Sequence, residues 1–307
     1  MLHMKVGFIG RTKILYDAIT LFQKSDEFEI SYIWSCKDEE YYNFDSKNFE
    51  EISGKIGCQY IFSSEISSNI QVPHVDLVIS INFINLIPKS FIEGIPYGVI
   101  NAHAGDLPRY RGNACANWAI INGEDKVGLS IHKMDAGLDS GPIIQKKYFP
   151  LQSNTYIGEV YDWFEEIVPQ LFLDSAHKLR DGYIPKPQDG DVLRTFPRIR
   201  EDGRLNFNFS RDWNYNLIRA SSIPFDGAYC YLNNSNQKIV IFEANPINID
   251  YDFNAISGQI MERNSEDLSF LIAIGKDVLR ISNYSINGLS TEESYSVICK
   301  SLRNRLT

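Results

Sequence analysis

A chain of 307 residues with 44% hydrophobic, 13% aromatic and 22% charged residues has the composition of a folded protein, long enough for one large domain and a smaller one, and not of a disordered chain. The formal net charge of −9 argues against a nucleic-acid partner, because neutralising a phosphate backbone takes a basic face. Five scattered cysteines without C-x-x-C spacing argue against a disulfide framework or a zinc site. No apolar run reaches membrane-spanning length, and the first residues lack the apolar core of a signal peptide, so a cytoplasmic protein with no metal and no membrane partner is expected.

In chain order, residues 5–9 form a compact apolar strand, Gly10 a turn, and Ile14, Leu15, Ala18, Ile19 and Phe22 recur at helical spacing. This βα unit opens an α/β domain. Gly7 and Gly10 lack the third glycine of a dinucleotide fingerprint, and the second strand, 30–34, runs into Ser35 and Cys36 without an acidic residue. The turn therefore reads as a tight connection that binds nothing, or only a substrate phosphate at the helix N-terminus. Residues 37–51 mix Asp38, Glu39, Glu40, Asp45, Glu50 and Glu51 with Tyr41, Tyr42, Phe44 and Phe49, the pattern of a solvated surface segment. A buried strand follows at 75–81, and 82–88 is a loop rich in apolar side chains. At the C-terminal end of a parallel strand, such a loop suits a flat aromatic ligand or ordinary packing equally well.

The apolar run 97–100 ends in Asn101 and His103, which point to one face of a strand because they are two residues apart. Asp139 lies in a Gly-flanked turn between strand-like runs at 127–134 and 142–149. If those runs join the same sheet, the three side chains can meet. An amide, an imidazole and a carboxylate together suit acyl transfer to an amine: the amide donates to a tetrahedral oxyanion, the imidazole moves protons near neutral pH, and the carboxylate supports the imidazole. Spacing alone nevertheless favours a plainer reading, a hydrogen-bonded strand-end histidine and a turn aspartate. His132 sits mid-strand, opposite the apolar face of Val127, Leu129 and Ile131, and with His3, His74 and His177 it reads as structural or solvent-facing.

Residues 113–122, with Trp118 and Ile121 on one face, predict a short helix, and 156–181 the strongest helix of the chain, kinked at Pro169 and stopped by Gly182. Pro185, Pro187 and Pro197 then mark a linker, giving domains at 1–189 and 190–307. Beyond residue 200, a helix at 213–220 and short strands at 228–232, 238–244, 257–261, 268–274 and 278–282 suggest a small β-barrel.

Asn101-Ala-His103, the following Leu107-Pro108-Arg109-Tyr110-Arg111-Gly112, and Asp135-Ala-Gly-Leu-Asp139-Ser-Gly resemble, in order and spacing, the signature of formyltransferases that use N10-formyltetrahydrofolate. The resemblance covers roughly residues 4–190 well and the tail more weakly. It implies a Rossmann-like α/β domain with a mostly parallel sheet, followed by an OB-like barrel. By it, Asn101 holds the formyl oxygen, His103 acts in proton transfer and oxyanion stabilisation, and Asp139 supports His103. The folate co-substrate would lie against Phe83, Ile84, Asn85, Leu86 and Ile87, with Leu107, Pro108, Asp135, Ala136, Gly137 and Leu138. One departure stands out: Gly105-Asp106 occupies the place where much of the family has Ser-Leu.

Fold kinship leaves the acceptor open. Methionyl-tRNA formyltransferase resembles the chain end to end but reaches tRNA with a basic insertion, where this chain has the acidic segment after Cys36. The preferred acceptor is therefore a UDP- or dTDP-linked amino deoxysugar of bacterial surface-glycan biosynthesis, with Arg109 and Arg111 as candidates for its diphosphate. A homodimer is among the possible assemblies. The alternatives are methionyl-tRNA formyltransferase and a non-catalytic folate- or nucleotide-binding protein.

Overall fold

The computed structural model describes residues 3–38, 44–67, 69–233 and 235–307. It begins with β1 (Met4–Gly10), α1 (Lys13–Gln23), β2 (Phe28–Ser35), α2 (Lys47–Ile56), β3 (Gln59–Phe62), β4 (Leu77–Ile81), α3 (Lys89–Glu93) and β5 (Val99–His103). There follow β6 (Arg111–Gly112), α4 (Cys115–Ile121), β7 (Lys126–Lys133), β8 (Ile143–Pro150), α5 (Ile157–Arg180) and β9 (Arg194–Thr195). A seven-stranded sheet runs β3-β2-β1-β4-β5-β7-β8. From β3 to β5 every pairing is parallel, whereas β7 is antiparallel to β5. The central strands are near-continuous apolar runs, as burial on both faces requires, and β4 is buried throughout.

Gly10 has a φ of +139°, and a Cβ there would stand 1.9 Å from the carbonyl oxygen of Ile81. Its role is close approach of β1 to β4, which suffices to explain a glycine at this turn. In the acidic segment, Glu39, Glu40, Tyr41 and Tyr42 lie outside the described residues. Its remainder is less solvated than the charges suggest. Phe49 and Ile52 are buried on one side of α2, and the rings of Phe44 and Phe49 pack on Tyr16 of α1 at 5.4 and 6.3 Å. Two apolar residues three apart make a helix face, and that periodicity is hidden beneath the charges.

The chain then forms α6 (Arg211–Ser221) and an antiparallel sheet of β10 (Ala228–Tyr231), β11 (Lys238–Ile247), β12 (Ile260–Asn264), β13 (Ser269–Ile274) and β14 (Asp277–Ile286), ordered β10-β11-β14-β13-β12, before α7 (Thr291–Ile298). Residues 304–307 lie between the two outer strands. Tyr231 and Thr307 exchange both backbone hydrogen bonds, at 2.8 and 2.7 Å, and on the other side Leu306 donates to Gly258 at 2.8 Å and Ile260 to Asn304 at 3.3 Å. The sheet is thereby closed into a barrel with both edges paired.

Two compact units result. The first comprises Met1–Cys115, Gly128–Phe149 and Tyr161–Thr195, and the second Ala116–Val127, Pro150–Val160 and Phe196–Thr307. The first unit is an α/β domain and the second carries the barrel. Among the described residues, no helix is long and apolar enough to cross a membrane.

Candidate active site

The register of β5 against β7 builds the site. Asn101 is paired with His132 and His103 with Ser130, so alternate residues of both strands share one face. Asn101 Nδ2 lies 3.4 Å from His132 Nε2, and the rings of His103 and His132 meet edge to face at 6.2 Å. Asp139 reaches both histidines: Oδ2 is 3.6 Å from His103 Nδ1, and Oδ1 is 3.8 Å from His132 Nε2. The turn carrying Asp139 is built locally. Asp135 Oδ1 accepts from Gly137 N–H at 3.0 Å and from Ser140 Oγ at 2.7 Å, and Asp139 itself takes a φ of 49°, a conformation Asp adopts more readily than most residues. Asp139 Oδ2 also accepts from the backbone N–H of Gly112 at 2.9 Å.

Each histidine is held in a different state. His132 is 1% exposed, and its Nδ1–H donates to the Lys133 carbonyl at 2.9 Å, leaving Nε2 to accept from Asn101. Burial, followed by the charge of His103, lowers its pKa to about 4. For His103, burial opposes the charged ring, but Cys115, the Asp139 carboxylate and the Tyr110 carbonyl outweigh it and push the pKa up to about 9. A histidine titrating near neutrality was the expectation. Instead the two rings are driven in opposite directions, His103 toward the charged form and His132 toward the neutral one, with one carboxylate facing both.

His132, expected to be structural or solvent-facing, is buried and lies against Asn101 and Asp139. The signal was present: a polar residue opposite the apolar face of one strand is on the face of its neighbour's polar residues once the two strands pair. His177, by contrast, pairs with Glu27 at 2.5 Å, far along the chain, and His3 and His74 are not buried. Gln188 was not singled out either. Its Nε2 donates to the carbonyls of Asp139 and Gly141 at 2.7 and 2.8 Å, while its Oε1 accepts from Arg111 at 2.7 Å, tying that guanidinium to the aspartate turn. Arg109 is exposed and lies 5.6 Å from the centroid of the Tyr110 ring.

The loop after β4 is anchored at its start and in its middle. Arg11 Nε donates to the Asn82 carbonyl at 3.0 Å and Asn85 Nδ2 to that of Ser64 at 2.9 Å. Ile87 is buried in the core cluster with Phe83 and Met134 packed against it, whereas Ile84 is exposed and Leu86 is 87% exposed. Leu107 and Pro108, joined by a cis peptide bond, are buried. Ala136, Gly137 and Leu138 are exposed at the tip of the turn. Lys146 Nζ reaches Asp106 Oδ1 at 2.7 Å, which accounts for an acidic residue at that position.

The first unit thus holds an α/β sheet with this polar constellation at the end of β5, and the second a small antiparallel barrel. A family profile described as formyl transferase matches residues 44–175, and one described as formyl transferase, C-terminal domain, matches residues 199–300. A methionyl-tRNA formyltransferase of Rickettsia bellii is 30% identical over 227 residues, covering 74% of this chain and 71% of the relative. One from Thermodesulfovibrio yellowstonii is 30% identical over 207 residues, 67% of this chain, and the match spans only 64% of that relative's length. The fold is shared with the crystal structure of an N-formyltransferase from Helicobacter canadensis in complex with folinic acid and dTDP-3-aminofucose, at a TM-score of 0.70 and 18% identity, covering 92% of this chain and all of that one. The chain belongs to the formyl transferase family.

Proposed function

We propose that the chain transfers the formyl group of N10-formyltetrahydrofolate to the amine of a UDP- or dTDP-linked amino deoxysugar, for surface-glycan biosynthesis. The observation that carries the chemistry is the meeting of Asn101, His103, His132 and Asp139 at one strand end within the first unit. The acceptor amine attacks the formyl carbon, the carbonyl π pair moves to oxygen, and collapse breaks the bond from carbon to N10, which takes up a proton while the amine releases one. Asn101, oriented by His132, donates an amide N–H to the oxyanion. His103, charged at neutral pH, places positive charge beside it and supplies a proton toward N10, with Asp139 balancing the imidazolium. No protein nucleophile is needed, because two reactants held together react directly.

The pterin would sit between the exposed side chains of 84–86 and the turn at 135–138, with Phe83, Ile87, Leu107 and Pro108 behind. Arg109 and Arg111 are the candidates for the diphosphate. We assign the chemistry to residues 1–189, with residues 190–307 as linker and barrel. The sugar acceptor is supported by the net charge of −9 and by the dTDP-aminosugar bound to the H. canadensis enzyme. The names of the R. bellii and T. yellowstonii relatives favour a second reading, formylation of Met-tRNA. Assaying purified protein with the formyl donor against UDP- and dTDP-linked amino sugars and against Met-tRNA separates the two. Turnover with at least one sugar, faster than with Met-tRNA, is expected, and the reverse order would overturn the acceptor assignment.

A further inference from the structure

The side of His103 turned away from Asp139 has its own construction. His103 Nε2 lies 2.6 Å from the Tyr110 carbonyl oxygen, so this nitrogen carries hydrogen and donates. Tyr110 has a φ of 59°, and Gly105 leaves the carbonyl room: a Cβ at residue 105 would stand 2.4 Å from that oxygen and 2.7 Å from Nε2. Behind both is Cys115, buried at the start of α4. Its Sγ is 3.0 Å from the same Tyr110 oxygen, 3.5 Å from His103 Nε2, 3.2 Å from Thr195 Oγ1 and 3.4 Å from the Gly112 carbonyl.

We propose that Cys115 is a positioning residue for His103, its sulfur and the Tyr110 carbonyl together holding Nε2–H against the protein so that Nδ1 is the nitrogen turned to Asp139 and to the reacting groups. The inference rests on the reading of His103 as the proton donor in formyl transfer. A thiol has one hydrogen, and three acceptors surround this one, the Tyr110 and Gly112 carbonyls and the Thr195 hydroxyl. Directed to Gly112 or Thr195, the S–H leaves sulfur lone pairs for Nε2–H and strengthens the charged ring. Directed to Tyr110, it competes with Nε2–H for one oxygen. The sulfur thus adjusts the acidity of the histidine from the face opposite the carboxylate. The other titratable groups facing the ring are Asp139 from the turn after β7 and His132 from β7, and Asp135 acts on His132.

The test is the titration of the His103 ring in the ligand-free full chain, followed by imidazole ¹⁵N chemical shifts, in the wild type and in Cys115→Ala, Cys115→Val and Cys115→Ser. Loss of one hydrogen-bond partner to the charged form should lower the His103 pKa by about half a unit or more in the alanine variant. Serine, which keeps a donor and an acceptor, should recover at least half of that change. The valine variant serves if the alanine variant loses its fold. In kinetics, the alkaline limb of kcat/KM should shift by the same amount while KM for the formyl donor stays unchanged. Superimposable ring titrations in wild type and in either apolar variant would overturn the proposal. Absence of formyl transfer by the wild type would instead overturn the reaction, and the ring titration would still decide the role of Cys115.

Discussion

At the scale of single residues, the two histidines divide the pH dependence of the protein between them. His103 has its folded pKa raised from 6.5 to about 9, so it contributes stability that is fully present below pH 6.5 and is lost as pH rises through about 9. His132 has its folded pKa lowered from 6.5 to about 4, so its contribution is present above pH 6.5 and is lost as pH falls through about 4. Denaturation at a series of pH values should show His132→Gln flattening the acid flank, and His103→Gln removing the alkaline flank while also weakening the acid one, because the charge of His103 helps to lower the His132 pKa. In catalysis, His103→Asn should lower kcat by at least ~10²-fold while binding of the formyl donor persists. The wild-type kcat/KM should fall as pH rises through about 9, and that limb should vanish in the variant. Near-wild-type turnover by His103→Asn would leave the ring as a hydrogen-bonded strand-end residue. Gly105→Ser, which installs the side chain common in the family, should displace Tyr110 or His103, cost ~1–3 kcal/mol by overpacking and depress kcat with it.

Among the elements, α7 gives a clean local test. Ser290 Oγ accepts from Glu293 N–H at 3.2 Å, and Glu293 Oε2 accepts from Ser290 N–H at 2.9 Å, a reciprocal cap. Ser290→Ala should destabilise the protein by ~1 kcal/mol in equilibrium unfolding without altering formyl transfer, and a null effect would mean that α7 is held by packing alone. This helix was missed in the sequence, as were α2 and β3. In α7 the polar run Thr-Glu-Glu-Ser-Tyr-Ser carries little periodicity, and in α2 the three apolar residues Phe49, Ile52 and Ile56 are outnumbered by four charges. By contrast, α5 was legible nearly to its ends, because eight apolar residues repeat at one helical face, and β1, β4 and β5 were legible as short apolar runs bounded by turns. Within the site, Asn101, His103 and Asp139 could be picked out from their motif. His132 left only its place opposite the apolar face of β7, which is informative once that strand is paired with β5, and Gln188 left no local mark, since it reaches the aspartate turn by a return of the chain.

In the whole molecule, the two units interleave along the chain. Helix α4 and the start of α5 carry residues assigned to the second unit, although most of the sequence around them belongs to the first. A fragment ending near Asp189 also lacks β9, whose Thr195 lies 3.2 Å from the sulfur of Cys115. A fragment ending near residue 195 should accordingly bind the formyl donor better than one ending at 189, measured by titration calorimetry. Equal affinity would show that β9 contributes nothing to the folate site. The closure of the barrel by residues 304–307 has a temporal consequence. During synthesis, β10 and β12 emerge from the ribosome long before the segment that pairs with them, so each presents an unpaired edge while the intervening strands assemble. Barrel closure is then a late step set by long-range contacts, and crowded nascent chains compete for the same edges with the residues that will eventually occupy them.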